Sequence, residues 1–167
     1  MRPFCVGILA SALALGIGCA RAATTGTTLA VSVTVTDTCS ISTAPLAFPT
    51  YVPGGGAVLG STTVKVACTK SSAFNVGLGY GLTTGSSYSQ RLLGNGANTL
   101  QYNLYTSGSH STVWGDGSGS TQYLTGTGTG TATPVPLTVY GVLPDSTANK
   151  VAAAGTYSDT ILVVIIY

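Results

Sequence analysis

An all-β sandwich is the fold this sequence predicts, and three features carry the expectation. Short runs of alternating apolar and polar residues recur between clusters of glycine, proline and serine, at the spacing of antiparallel sandwich strands. The chain holds 23 glycines among 167 residues and is rich in threonine and serine, so no window contains enough helix formers to sustain a helix. Apolar residues still make up 44% of it, too many for a disordered chain despite its low charge.

Each element follows from its pattern. In "TLAVSVTVTDTCSI" (28–41), Leu29, Val31, Val33 and Val35 alternate with Ala30, Ser32, Thr34 and Thr36, and the run leads directly into Cys39. "CSISTAPLAF" is a second strand, broken by Pro45, and "PTYVPGGGAVLG" is a turn-rich connection. "STTVKVACT" puts Val64, Val66 and Cys68 on one face, with Thr63, Lys65 and Ala67 on the other. "AFNVGLGYGL" sets Phe74, Val76, Leu78 and Tyr80 on one side, and the glycines opposite suit close packing or a bulge. In "TLQYNLYT", either Leu100, Tyr102 and Leu104 or the set containing Tyr105 faces inward.

The middle, "SGSHSTVWGDGSGSTQYLTGTGTGTATPVP", is low in complexity. Its Gly-Thr alternation offers no core residues from Gly126 to Thr133 and predicts an exposed loop or a mobile edge. Order returns with "VPLTVYGVLP" (135–144), a strand flanked by prolines, followed by "DSTANKVAAAGTY", a loop with one helical turn. The closing "YSDTILVVIIY" alternates Ile161, Val163, Ile165 and Tyr167 with Leu162, Val164 and Ile166. Both faces of this last strand are apolar, so it requires either a central place in a sheet or a cover for its edge.

The start of the chain predicts export. Arg2 gives a short positive region, "FCVGILASALALGIG" is an apolar stretch too short for a span, and "ARA" at 20–22 supplies a cleavage site, so residues 1–22 are expected to be a signal peptide. A lipoprotein cut before Cys19 is the rival, weakened by Gly16 where such a site takes leucine. No later apolar run approaches the roughly 20 residues of a transmembrane helix. Removal of the leader takes away Cys5 and Cys19, leaving Cys39 and Cys68, and two cysteines in an exported chain of this size are expected to pair. A loop of this length, once closed, would add about 3–4 kcal/mol of stability in the chain-entropy model.

Charge excludes one class of partner. Without Arg2 and Arg21, four cations (Lys65, Lys70, Arg91, Lys150) stand against four aspartates (Asp37, Asp116, Asp145, Asp159), with no glutamate. So few cations cannot neutralise a row of phosphates, which argues against nucleic-acid binding. A near-neutral surface does little to prevent self-association, a liability for a monomer and acceptable in a polymer.

No catalytic, metal or cofactor site is expected. His110, the single histidine, lies in the loop-like "SGSHST", and no G-x-S-x-G elbow surrounds a serine. "GDGSGS" (115–120) has one carboxylate, Asp116, and reads as a turn rather than a calcium loop. "GLGYG" (77–81) lies within a strand pattern and does not open a helix, so it is no nucleotide loop. Trp114 in "VWGDG" is read as a core or hinge residue, with a sugar-stacking platform as the alternative.

Taken together, the alternating strand into Cys39, "VKVACT", "LQYNLY", "VWG", "PLTVYGVLP" and the closing "GTYSDTILVVIIY" resemble the spore coat protein U domain family, which includes subunits of archaic chaperone–usher pili. The resemblance implies an incomplete immunoglobulin-like β-sandwich spanning 39–167, completed by a donor strand from a neighbouring subunit. It implies that 23–38 is the donor segment, with Leu29, Val31, Val33 and Val35 entering a neighbour's groove, a burial worth about 6–10 kcal/mol before ordering costs. Ile161, Val163, Ile165 and Tyr167 would border the groove and pair with a periplasmic chaperone before the outer-membrane usher exchanges it for the next subunit. The Cys39–Cys68 placement matches that family. The implied function is a structural subunit of a surface pilus, supporting adhesion or biofilm formation. The alternatives are a non-fibrous coat or outer-surface protein and a carbohydrate-binding module using Trp114 and Tyr123.

Overall fold

A computed structural model describes residues 22–167. The expected leader, 1–22, therefore lies almost wholly outside the described residues. The chain divides between Thr34 and Val35 into two units. In the first, residues 22–34 pair into no sheet, and Leu29, Val31 and Val33 stand exposed.

The second unit is all strand, apart from one turn of 3₁₀ helix at Asn149–Val151. Its strands are β1 (Cys39–Thr43), β2 (Val58–Cys68), β3 (Ala73–Leu78), β4 (Arg91–Asn95), β5 (Asn98–Tyr105), β6 (Leu124–Thr127), β7 (Val135–Leu143) and β8 (Val163–Ile166). They form a five-stranded sheet in the order β1-β2-β7-β5-β4 and a three-stranded sheet in the order β6-β3-β8, with every pairing antiparallel. No helix among the described residues is long and apolar enough to cross a membrane.

Alternation decides what each strand buries. Val64, Val66 and Cys68 of β2 point inward with Leu137, Val139 and Leu143 of β7, and meet Phe74, Val76 and Leu78 from the smaller sheet. In β5 the inward set is Leu100, Tyr102 and Leu104, while Tyr105 is only half-buried. Tyr80, expected to continue the inward face of β3, lies beyond the end of that strand and is exposed. There it stacks edge-on against Tyr88.

Two elements differ from expectation. β4 and β5 form a tight hairpin whose two-residue turn, Gly96–Ala97, has Gly96 at φ 60°, a conformation glycine adopts at no steric cost. Glycine at the first of the two turn positions was the signal for it. Only the start of the Gly-Thr stretch is strand, since β6 (Leu124–Thr127) pairs with β3 from Ala73↔Thr127 to Val76↔Leu124, while 128–133 form a mostly exposed loop as expected. Two of its glycines are required by contact: a Cβ on Gly126 would enter the Phe74 ring, and one on Gly128 would enter Cys68 and the Thr69 carbonyl.

Candidate functional site

The open side of the molecule lies between β1 and β8. Among the described residues β1 pairs only with β2, and β8 only with β3, so each strand turns a free row of backbone donors and acceptors outward. Ile41, Ser42 and Thr43 on one side, and Thr160 to Val163 with Leu82 on the other, line a cleft of about 430 Å³. A second cleft of about 320 Å³ continues inward past Leu46, Phe48 and Ile161 to Val64, Leu104 and Val139. Its floor is thus made of core residues.

Cys39 anchors one wall. It is disulfide-bonded to Cys68, its register partner, with Cα atoms 4.1 Å apart. Mutual hydrogen bonds between Thr38 and Thr69 extend the anchor by one residue, including Thr69 N–H to the Thr38 carbonyl at 2.9 Å. β1 then stops at Thr43, before Pro45, which has no N–H to continue a ladder.

The other wall is β8. Ile161, Val163 and Ile165 are half-buried against the core, and Leu162, Val164 and Ile166 are exposed. Tyr167 follows the end of β8 and is exposed, so the inward row comprises three residues rather than four. β8 joins β3 from Asn75↔Ile166 to Leu78↔Val163, and Gly79 N–H donates to the Leu162 carbonyl at 2.8 Å.

Polar groups that sequence reasoning did not single out fasten this wall to the larger sheet. Arg91 of β4 is fully buried and has no carboxylate partner. Its Nη2 donates to the carbonyls of Gly79 (2.8 Å) and Trp114 (2.7 Å), Nε to Gly79 (3.0 Å), and Nη1 to Asn103 Oδ1. Burial pushes the guanidinium below its ordinary value, with Tyr102, Tyr88 and Asp159 opposing the shift. Asp159 Oδ1 accepts from the amides of Leu82 and Thr83 and from the Thr83 hydroxyl, while Oδ2 accepts from the Tyr102 hydroxyl at 2.7 Å. Burial, then that hydrogen bond, raises the Tyr102 phenol far above its usual range. The one available signal was compositional, since Arg91 is the single arginine after Arg21 and opens an apolar run.

The segment read as a donor pairs into no ladder among the described residues. Leu29, Val31, Val33 and Val35 are between 77% and 89% exposed. Leu29 to Val35 spans about 20 Å when extended, the same six-residue interval as Thr160 to Ile166.

The residues declined as sites each have local structural partners. His110 sits edge-on between Tyr105 and Tyr140. Asp116 caps its own turn by accepting from the amide and hydroxyl of Ser118, and these bonds hold its carboxyl below the usual range. Trp114 is fully buried, its Nε1–H donating to the Val76 carbonyl at 2.8 Å. A ring with no exposed face cannot stack on a sugar, which removes the platform from the carbohydrate-binding alternative. No group of three or more metal-ligating side chains occurs among the described residues.

Comparison with known proteins places this geometry. The family model for the Spore Coat Protein U domain matches residues 25–164. No curated protein matches the sequence. Among solved structures, the chain is similar to one in the crystal structure of the CsuC–CsuE chaperone–tip adhesion subunit pre-assembly complex, from the archaic chaperone–usher Csu pili of Acinetobacter baumannii. The TM-score is 0.53 at 20% identity, covering 80% of this chain and 40% of that one. The chain therefore spans about two fifths of that neighbour's length, and at this identity the likeness concerns fold.

Proposed function

Because the chain belongs to the Spore Coat Protein U domain family, we propose that it is a subunit of a chaperone–usher surface pilus, polymerised by donor-strand exchange. One observation carries the reading: an open cleft reaching the core between two free strand edges, in a chain that also exposes an unpaired apolar alternation of matching length. An incoming strand would satisfy the outer edge of β8 by β-augmentation and bury its alternate side chains over Val64, Leu104 and Val139. Residues 23–38 are the donor, with Leu29, Val31, Val33 and Val35 inserted into the next copy and Ala30, Ser32, Thr34 and Thr36 outward. A slip of one residue would invert the two faces.

Before assembly the same edge needs a temporary occupant, since a free apolar edge aggregates. A periplasmic chaperone is that occupant, pairing along Ile161, Val163 and Ile165, and an outer-membrane usher is where the exchange takes place. The product is an extracellular fibre with a structural rather than enzymatic role, serving attachment or biofilm formation. Deleting the gene should remove both surface fibres and adherence.

The direct test uses one engineered chain. Residues 27–37 are appended after Tyr167 through a flexible linker and the N-terminal copy is deleted. A stable monomer with a raised thermal midpoint, against a polymerising or aggregating parent, is the expected result. Equal midpoints and a monomeric parent would mean a complete sandwich, and the coat-protein alternative would replace the pilus.

A further inference from the structure

The open groove raises a physical question. A cleft lined by apolar side chains should collapse, since closing it would remove apolar surface from water. Something must hold β8 away from β1 until a strand enters. The ties that meet at one rung of the β4–β5 hairpin are placed to do this.

Arg91 and Tyr102 are register partners in that hairpin, and each reaches across to a different segment of the groove wall. Arg91 grips the carbonyls of Leu78 and Gly79. Leu78 ends β3 and Gly79 follows it; β3 is the one ladder partner of β8 among the described residues, and here Leu78 faces Val163 and Gly79 N–H meets the Leu162 carbonyl. Tyr102 grips Asp159, the residue preceding Thr160, and Asp159 in turn collects Leu82 and Thr83. Both strands leading into the groove wall are thereby fixed to the larger sheet at one point. Tyr102 and Asp159 also line the inner cleft themselves, so the tie stands where a collapsing β8 would have to pass.

We propose that Arg91, Tyr102 and Asp159 are positioning residues that keep the groove open in the unoccupied subunit. The proposal rests on the donor-strand reading above and adds to it a mechanism for strand entry. The ties use directional bonds to fixed backbone groups. An apolar packing contact at the same place would have favoured closure. Once a donor strand lies beside β8, its own ladder and side chains hold that wall, and the clamp becomes redundant.

Redundancy makes the clamp separable from ordinary core packing. Tyr102→Phe removes the bond to Asp159 and keeps the ring. Hydrogen exchange at the β8 amides, Val163 to Ile166, is measured for this variant in two forms: the mature chain made unable to donate its strand by Val31→Asp and Val33→Asp, and the chain carrying 27–37 after Tyr167. Exchange should quicken about tenfold or more in the mature chain, as expected for a lost bond to a carboxylate. It should change little in the self-complemented chain. Tyr51→Phe, which removes the comparable Tyr51–Asp145 bond (2.6 Å) elsewhere, should leave β8 exchange unchanged in both. Equal acceleration by Tyr102→Phe in the two forms, or none in either, overturns the clamp while leaving donor exchange standing. If the appended strand fails to slow β8 exchange with Tyr102 intact, the donor-strand reading falls, and the clamp with it.

Discussion

Val64, Val66 and Cys68 in β2, and Leu29, Val31, Val33 and Val35 before β1, follow the same rule of apolar residues at every second position. Their outcomes are opposite. The β2 set is at most 1% exposed, and the N-terminal set at least 77%. Alternation therefore specifies that a segment has one face to bury, and says nothing about which surface will receive it. β2 finds partners on both sides, β1 and β7, within its own chain. The N-terminal run has the pattern of a strand and no ladder partner among the described residues. β8 stands between these cases, with one paired edge, a half-buried inner row and an exposed outer row.

The sharpest way to break the comparison is to place the same charge in both regions. Val66→Asp puts a carboxylate among fully buried aliphatic groups and should cost about 4–5 kcal/mol or more, a large part of the total stability of a domain. Loss of soluble, protease-resistant protein in the periplasm is the expected result. Val31→Asp with Val33→Asp changes side chains already in water and should leave the domain's folding unaffected. Polymerisation should be lost, read as disappearance of high-mass ladders in unheated gel samples. Normal fibres from the double variant would end the donor assignment.

A smaller effect tests the edge that composition conceals. Gly126→Val adds β-propensity to β6, so propensity alone predicts a gain. The added side chain meets the buried Phe74 ring, and overpacking of this kind costs about 1–3 kcal/mol. A lowered thermal midpoint is expected, and an unchanged or raised one would mean that Phe74 has room to move.

That contrast also explains what the sequence made legible. Strands β2, β3, β5, β7 and β8 announce themselves because their own side chains fill the core, as in Phe74, Val76 and Leu78. β6 does not, because Gly126, and Gly128 just beyond it, serve the core by leaving space for Phe74 and Cys68, and an absent side chain carries no periodicity. The groove was legible through its borders, Cys39 at one side and the alternating Ile161 to Ile165 at the other. The polar ties behind it were not. Arg91 is satisfied by the carbonyls of residues 78, 79 and 114 and by the Asn103 side chain, and no local pattern marks a side chain whose partners lie on three other segments. Tyr102 was readable as core, but its hydroxyl partner, Asp159, lies 57 residues away.

The mildest prediction concerns the turn at 51–56, where a second tyrosine–carboxylate pair can be compared with Tyr102–Asp159. Asp145 accepts from the Tyr51 hydroxyl (2.6 Å) and the amides of Gly54 (3.0 Å) and Gly56 (3.3 Å), with Lys150 at 3.4 Å. The Tyr51 bond foremost, then the two amides and Lys150, holds the Asp145 carboxyl below its ordinary value of 3.8. Its contribution is complete above that value and is lost as pH falls through the lower folded-state one. Tyr51 moves the other way, pushed from 10.0 up to about 12 by burial and by Asp145. That contribution is complete below pH 10.0 and disappears as pH rises toward about 12. The Gly54 and Gly56 amides should therefore be protected at neutral pH and open at both extremes, read as proteolytic nicking within 51–56 by proteases active in each range. Asp145→Asn should abolish the acid limb, since the amide does not titrate. An acid limb that survives in this variant would place the titrating group elsewhere.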